Sequence, residues 1–187
     1  MTTTTPTRAR RADAIANRER VLRAARACFA EGLDAQIHDI AKRAGVGVGT
    51  VYRHFENREA LVEALAVDCI GDLQVHARAA LEEPDAWRAL ERFVWGASEK
   101  LAGDVLSAES VAVTTPSGGM KRCSAELSDM IQELAVRARS AGALRADMSP
   151  EQVESILRHL GGAVRGAERS GFEWRSYVRV VLDGLRA

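Results

Sequence analysis

The chain has 187 residues, enough for one large domain or two small ones with a sizeable core. Its 47% hydrophobic and 28% charged residues are those of a soluble globular protein and exclude a wholly disordered one. No apolar run approaches the ~20 residues of a membrane-spanning helix, so a membrane partner is not expected.

The formal net charge is zero, but the charges are divided unevenly. Residues 1–58 hold 11 Lys and Arg against 6 Asp and Glu, and the remainder holds 15 against 20. A basic end on an acidic body points to a polyanion partner for the first third. The cysteines, Cys28, Cys69 and Cys123, are odd in number and far apart, with no CxxC. Neither a disulfide framework nor a metal site is expected, and a reducing, cytoplasmic setting fits.

Apolar spacing is helical almost throughout, and strand-like alternation is absent, which predicts an all-α protein. Residues 1–12, with Arg8, Arg10 and Arg11, read as a flexible basic arm. The first helix is expected from residues 13–17 to Glu31, with Val21, Leu22, Ala25, Cys28 and Phe29 on one stripe and Gly32 ending it. A short helix follows, with Ile37, Ile40, Ala41 and Ala44 at i, i+3, i+4 and i+7 and Gly45 as its stop. Another short helix runs after Gly47 through Val51 and Tyr52 to Phe55. Asn57 caps a long helix reaching about Glu82.

Asp85 caps the next helix, which carries Trp87, Leu90, Val94 and Leu101. Thr114-Thr115-Pro116-Ser117-Gly118-Gly119 reads as a loop. A helix from about Cys123 to Ala141 follows. Ser149-Pro150-Glu151-Gln152 is a helix start in which Ser149 and Gln152 form a capping box, and that helix is expected to end near Gly166. Gly171 separates it from a last helix with Trp174, Tyr177, Val181 and Leu185.

Residues 37–55 have helix-turn-helix spacing. Gly45 permits the sharp turn, Val46 plugs the angle, and the second helix is small enough to enter a DNA major groove. The wider pattern is more specific. Arg20-Val-Leu-Arg-Ala-Ala-Arg-Ala-Cys-Phe29-Ala-Glu-Gly32 is followed by Ile40-Ala41-Lys-Arg-Ala44-Gly45-Val46. Gly49-Thr50-Val-Tyr52-Arg-His54-Phe55 and Arg58-Glu59-Ala-Leu61-Val complete it. Over residues 18–62 this run resembles the DNA-binding domain of the tetracycline-repressor (TetR) family.

The resemblance implies an all-α homodimer of about nine helices per chain, divided into a DNA-binding domain (13–56) and a ligand-binding and dimerisation domain (57–187). It implies a repressor that a small ligand releases from a pseudo-palindromic operator. Thr50 and Tyr52 would hydrogen-bond phosphates, with His54 and Arg58 along the same backbone. His38, Gly47, Val48 and Arg53 would face the bases, Arg53 toward a guanine and Val48 toward a thymine methyl. Two positions depart from the family pattern. Gln36 stands where Thr or Ser is frequent, leaving Asp34 or Gln36 as the cap, and Gly47 stands where Ser is frequent. Val48, Val51, Tyr52 and Phe55 also fit one buried stripe, so Val48 has a core reading as well.

In the body, Cys69, Leu73, His76, Phe93, Trp95, Met130 and Leu134 are candidates for a pocket suited to an apolar or aromatic effector. Leu157, Leu160, Gly161 and Val164 of one helix, and Trp174, Tyr177, Val181 and Leu185 of the last, are candidates for the dimer interface; the same stripes would also serve an internal core. The competing classes are an enzyme and a helical protein binding DNA without sequence preference. No HExxH, GxSxG or strand-borne phosphate loop supports catalysis, and no cofactor is implied.

Overall fold

The computed structural model describes residues 6–31, 35–103 and 117–187. Among them are eight α-helices and no strand: α1 (Pro6–Glu31), α2 (Ile37–Ala44), α3 (Val48–His54), α4 (Arg58–Leu81), α5 (Ala86–Gly103), α6 (Gly118–Ser140), α7 (Pro150–Ser170) and α8 (Trp174–Leu185). The chain divides into two compact units, residues 1–65 and 66–187. The division between these units falls inside α4. The first two turns of α4 belong with α1–α3, because Leu61 and Leu65 are fully buried and Arg58 lies over the Phe29 ring at 5.1 Å.

In the first unit the periodicity read from the sequence sets the packing. Val21, Leu22, Ala25, Cys28 and Phe29 form the buried side of α1, and Ile37, Ile40 and Ala41 that of α2. The α1 helix begins at Pro6, so residues 6–12 of the expected flexible arm are helical. Proline suits a first turn, because its missing N–H would have no partner there. Gly32 and Asp34 lie outside the described residues, as do residues 1–5 of the arm. The N-cap of α2 is Gln36, whose backbone N–H donates to the Asp39 carboxylate at 3.4 Å.

The turn between α2 and α3 is a Schellman motif. The Gly45 N–H donates to Lys42 O at 3.2 Å and the Val46 N–H to Ala41 O at 3.0 Å. Gly45 has φ +66°, a left-handed conformation that a Cβ disfavours. This turn sets the direction of α3.

In the second unit, residues 66–81 of α4 and helices α5–α8 surround a main core, beside a smaller cluster of Ala66, Ile70 and Met120. Trp87, Leu90 and Val94 enter the main core from α5, Leu134 and Ala138 from α6, and Val153 and Val164 from α7. Trp174, Val178 and Leu182 close it from α8. The expected caps at Asp85 and Ser149 are formed: the Arg88 N–H donates to Asp85 Oδ1 at 2.8 Å and the Gln152 N–H to Ser149 Oγ at 3.2 Å. Gln152 completes the capping box, accepting from the Ser149 N–H at 2.7 Å. Arg137 closes the other end of α4, donating to Leu81 O at 2.7 Å and Glu83 O at 2.6 Å.

Two boundaries differ from expectation. The helix expected from Cys123 starts at Gly118, because the Ser117 hydroxyl accepts from the Gly119 and Met120 N–H groups and turns the two glycines into a first turn. Thr114, Thr115 and Pro116 lie outside the described residues. The α7 helix continues past Gly166 to Ser170. No described helix is long and apolar enough to cross a membrane.

Candidate functional site

The first candidate surface is the helix-turn-helix. The buried side of α3 is Val51, with Phe55 just beyond its end. Val48 and Tyr52, which could have shared that stripe, are 41% and 51% exposed. A seven-residue helix makes fewer than two full turns, and 48 and 52 fall one residue off the inward line set by 51 and 55. Gly47 is the α3 N-cap, in an ordinary extended conformation, and a Cβ there would meet nothing within 4 Å.

Arg53 is exposed, and its Nη2 donates to Thr50 Oγ1 at 3.2 Å. His38 is exposed on α2, with Nε2 2.9 Å from Asp39 Oδ1. His54 is half-buried beside Phe55. Burial, followed by the charges of Arg53 and Arg18, pushes the His54 imidazole below the ordinary histidine value. Arg18 lies 5.6 Å from the Phe55 ring centroid, and Arg58 covers Phe29. All eight residues of the expected DNA surface therefore lie on α2, the turn, α3 or the start of α4. Exposed Lys42 and Arg43 add positive charge to the end of α2, although Arg43 is paired with Glu31 at 2.7 Å.

The second candidate is a cavity of about 380 Å³ within the second unit. Of the expected pocket residues, Cys69, Leu73 and Phe93 line it. His76, Trp95, Met130 and Leu134 are not among its lining residues. The His76 ring abuts α5 so closely that a Cβ on Gly96 would stand 2.6 Å from its Nδ1. Trp95 packs against Trp174 with ring centroids 6.2 Å apart, Leu134 is fully buried in the core, and Met130 packs against that core.

The cavity also has a polar wall that sequence reading missed. Ser98, Glu154, Arg158 and Arg165 line it, with Ser124 and Ser128 of α6. Glu154 is only 8% exposed. Burial alone would raise its pKa, but hydrogen bonds from Gln132 (2.9 Å), Ser128 and Arg158 outweigh this and hold it below the usual carboxylate range. The available signal was the spacing 154, 158, 161 and 165 on α7, which puts one line of polar and small residues beside the apolar stripe.

The expected interface residues divide by accessibility. Leu157, Leu160, Gly161 and Val164 of α7 are buried in the single chain, as are Trp174 and Leu185 of α8. Tyr177 is exposed and Val181 half-buried. Phe172 and Val180, which the sequence reading did not select, are large exposed apolar side chains on the same stretch.

Residues 21–65 match the family of bacterial regulatory proteins of the tetR type, and residues 85–187 match the C-terminal domain of SbtR-like transcriptional regulators. The crystal structure of the TetR transcription regulatory protein from Mycobacterium vanbaalenii is 35% identical, with a TM-score of 0.67 over 95% of this chain and 99% of that one. The chain belongs to the TetR family of transcriptional regulators. Another TetR regulator, SCO0520 from Streptomyces coelicolor, is 29% identical, with a TM-score of 0.61 over 90% of this chain and 98% of that one. The HTH-type transcriptional regulator SAR0097 of Staphylococcus aureus is 34% identical over 83 residues, a match spanning 43% of this chain and 44% of that protein. FadR of Bacillus subtilis, solved in complex with stearoyl-CoA, is 18% identical. It shares the TetR fold with a TM-score of 0.72 over 88% of this chain and 95% of that one.

Proposed function

We propose that the protein is a homodimeric, sequence-specific repressor that binds a pseudo-palindromic operator through α2 and α3 and is released by a small organic ligand held in the second unit. The observation that carries this reading is the α3 face itself. A left-handed glycine turn leads into a short helix whose accessible side carries Val48, Thr50, Tyr52 and Arg53. That is the size and chemistry a major groove admits.

Thr50 and Tyr52 supply hydroxyls to phosphates, and His54 and Arg58 follow the same backbone. His38, Gly47, Val48 and Arg53 face the bases, and Arg53 exchanges its Thr50 partner for a guanine edge. In a dimer, two such helices meet major grooves about 34–36 Å apart.

The cavity supports the release step. A ligand that binds the DNA-incompetent form more tightly shifts the population toward it by that difference in affinity, and operator DNA weakens ligand binding by the same factor. The small effector follows from the apolar lining around Leu73 and Phe93, as the fold relative FadR holds stearoyl-CoA.

The test is a titration of the protein onto DNA from its own upstream region and onto a scrambled duplex, at two salt concentrations. Selective binding that a Tyr52→Ala, Arg53→Ala double variant loses is the expected result. Equal, salt-sensitive binding to both duplexes would leave the alternative, a DNA-binding protein without sequence preference. No binding at low salt would end the DNA reading.

A further inference from the structure

The cavity of the second unit contains a buried polar group that the protein does not itself satisfy. Ser98 of α5 lines it and is 3% exposed. Its hydroxyl can donate one hydrogen bond and accept two, yet it has no partner among the described residues. Val94, Ala97 and Leu101 stand on the same face of α5 and are buried and apolar. Buried hydroxyls in folded proteins are nearly always hydrogen-bonded, because water is lost to them and nothing else repays the loss. A hydroxyl left open at a cavity wall is therefore a place for a guest.

The charged groups of the same wall are already engaged. Gln132 donates to one Glu154 oxygen at 2.9 Å, Arg158 donates to the other, and Ser128 adds a third hydrogen bond. The Arg158 side chain is 71% exposed, so it reaches Glu154 from the solvent side. Arg165 has an interaction of its own. An ammonium guest would find the Glu154 oxygens taken. A carboxylate guest would meet the ionised Glu154 and would have to draw an arginine from its present contact. Either would leave water for walls made largely of Leu73, Phe93, Leu127 and Leu157, where an unmatched charge costs far more than a paired hydroxyl.

We infer that the effector of this regulator is an uncharged, largely apolar molecule whose hydroxyl or carbonyl group hydrogen-bonds to Ser98 inside the cavity, an assignment that rests on the ligand-release reading above and specifies its chemistry. A carbonyl accepts from the Ser98 hydroxyl, and an alcohol either accepts from it or donates to it. The volume of about 380 Å³ lies near the lower end for pockets that enclose small ligands and keeps the guest small.

The test is calorimetric titration of the full chain, without DNA, with four probes of equal chain length: octanol, methyl hexyl ketone, octanoate and octylammonium. Saturable binding of the alcohol and the ketone is expected, with both ions at least roughly tenfold weaker. Ser98→Ala should weaken the alcohol and the ketone roughly three- to tenfold. The same variant has a second readout that a structural hydroxyl would not share. Removing a hydroxyl without a partner should leave the urea midpoint of the empty protein unchanged or higher, whereas removing one that is bonded within the protein would lower it. Ser98→Cys, close in size and only a weak donor, is the second variant should Ser98→Ala fail to give a native helical spectrum, and the same loss of binding is expected. Binding of either ion as tight as that of octanol, failure of all four probes to bind, indifference of octanol to both variants, or a lowered midpoint in Ser98→Ala would overturn the inference. Operator titration on the same preparation separates the two readings. Release of operator by octanoate and not by octanol keeps the release reading and removes this inference. Octanol binding that depends on Ser98 but releases no operator supports the chemistry assigned to the cavity and removes the release reading.

Discussion

At the scale of single residues, the α3 surface is prepared for DNA by its local charges. His54 sits beside Phe55, and burial together with Arg53 and Arg18 depresses its pKa, so the ring is neutral near pH 7. The folded chain favours the neutral form. The resulting stability is therefore present above the ordinary histidine value of about 6.5 and declines as pH falls below it. A phosphate against the ring acts in the opposite direction and favours the charged form. If His54 lies along the operator backbone as proposed, binding takes up a proton, and operator affinity rises as pH falls from about 7.5 to 6. In a His54→Gln variant this part of the pH dependence should disappear, measured by anisotropy across that range at constant salt. An unchanged slope would place His54 off the phosphates.

At the scale of elements, glycine chemistry and capping do most of the positioning. Gly45 holds φ +66° and donates within a Schellman turn, so it fixes where α3 points relative to α2. Gly45→Ala should cost about 1–2 kcal/mol in urea unfolding and weaken operator binding, because the strained turn relaxes by moving α3. Gly47 makes the contrast. Its backbone is ordinary and the space around it is open, so Gly47→Ser should leave stability equal or a few tenths of a kcal/mol higher through a better N-cap. A large loss from Gly47→Ser, or none from Gly45→Ala, would count against this account of the turn. The same capping logic explains why α6 begins earlier than its apolar stripe suggests: Ser117 captures two N–H groups and recruits Gly118 and Gly119 into the helix.

At the scale of the whole molecule, the two units divide charge and chemistry. The first 58 residues hold the positive surplus, and the remainder holds the negative one. The proposed homodimer needs accessible apolar surface, and a single chain leaves little of it on α7. On α8 and the loop before it, Phe172 is 64%, Tyr177 45% and Val180 71% exposed. Three large apolar side chains exposed on one short stretch, with Arg175, Arg179 and Asp183 also exposed on α8, are what an association site would use. Val180→Asp, which perturbs no buried contact, should shift the particle from dimer to monomer in light scattering while leaving the helical spectrum intact. It should also reduce operator affinity, since one half-site is then bound at a time. A dimer that persists in this variant and in Phe172→Asp would move the interface elsewhere.

The sequence by itself determined the all-α class, most helix boundaries, the helix-turn-helix and the family. Those properties are local: they reside in 3.6-residue periodicity, in caps such as Asn57, Asp85 and Ser149, and in an ordered run of residues over 18–62. Only the tertiary structure decided which apolar stripes close the chain's own core. Leu157, Leu160, Val164 and Trp174 have the same pattern whether they meet their own chain or a partner, and here they are buried in one chain. It also decided that Cys69, Leu73 and Phe93 meet at one cavity whereas His76, Trp95, Met130 and Leu134 pack elsewhere. Glu154 reads as part of a solvated helix face until Gln132 and Ser128 of α6 come close enough to bury it and hydrogen-bond it. Burial and charge compensation are set by neighbours distant in the chain, and a single stretch of residues carries no record of them.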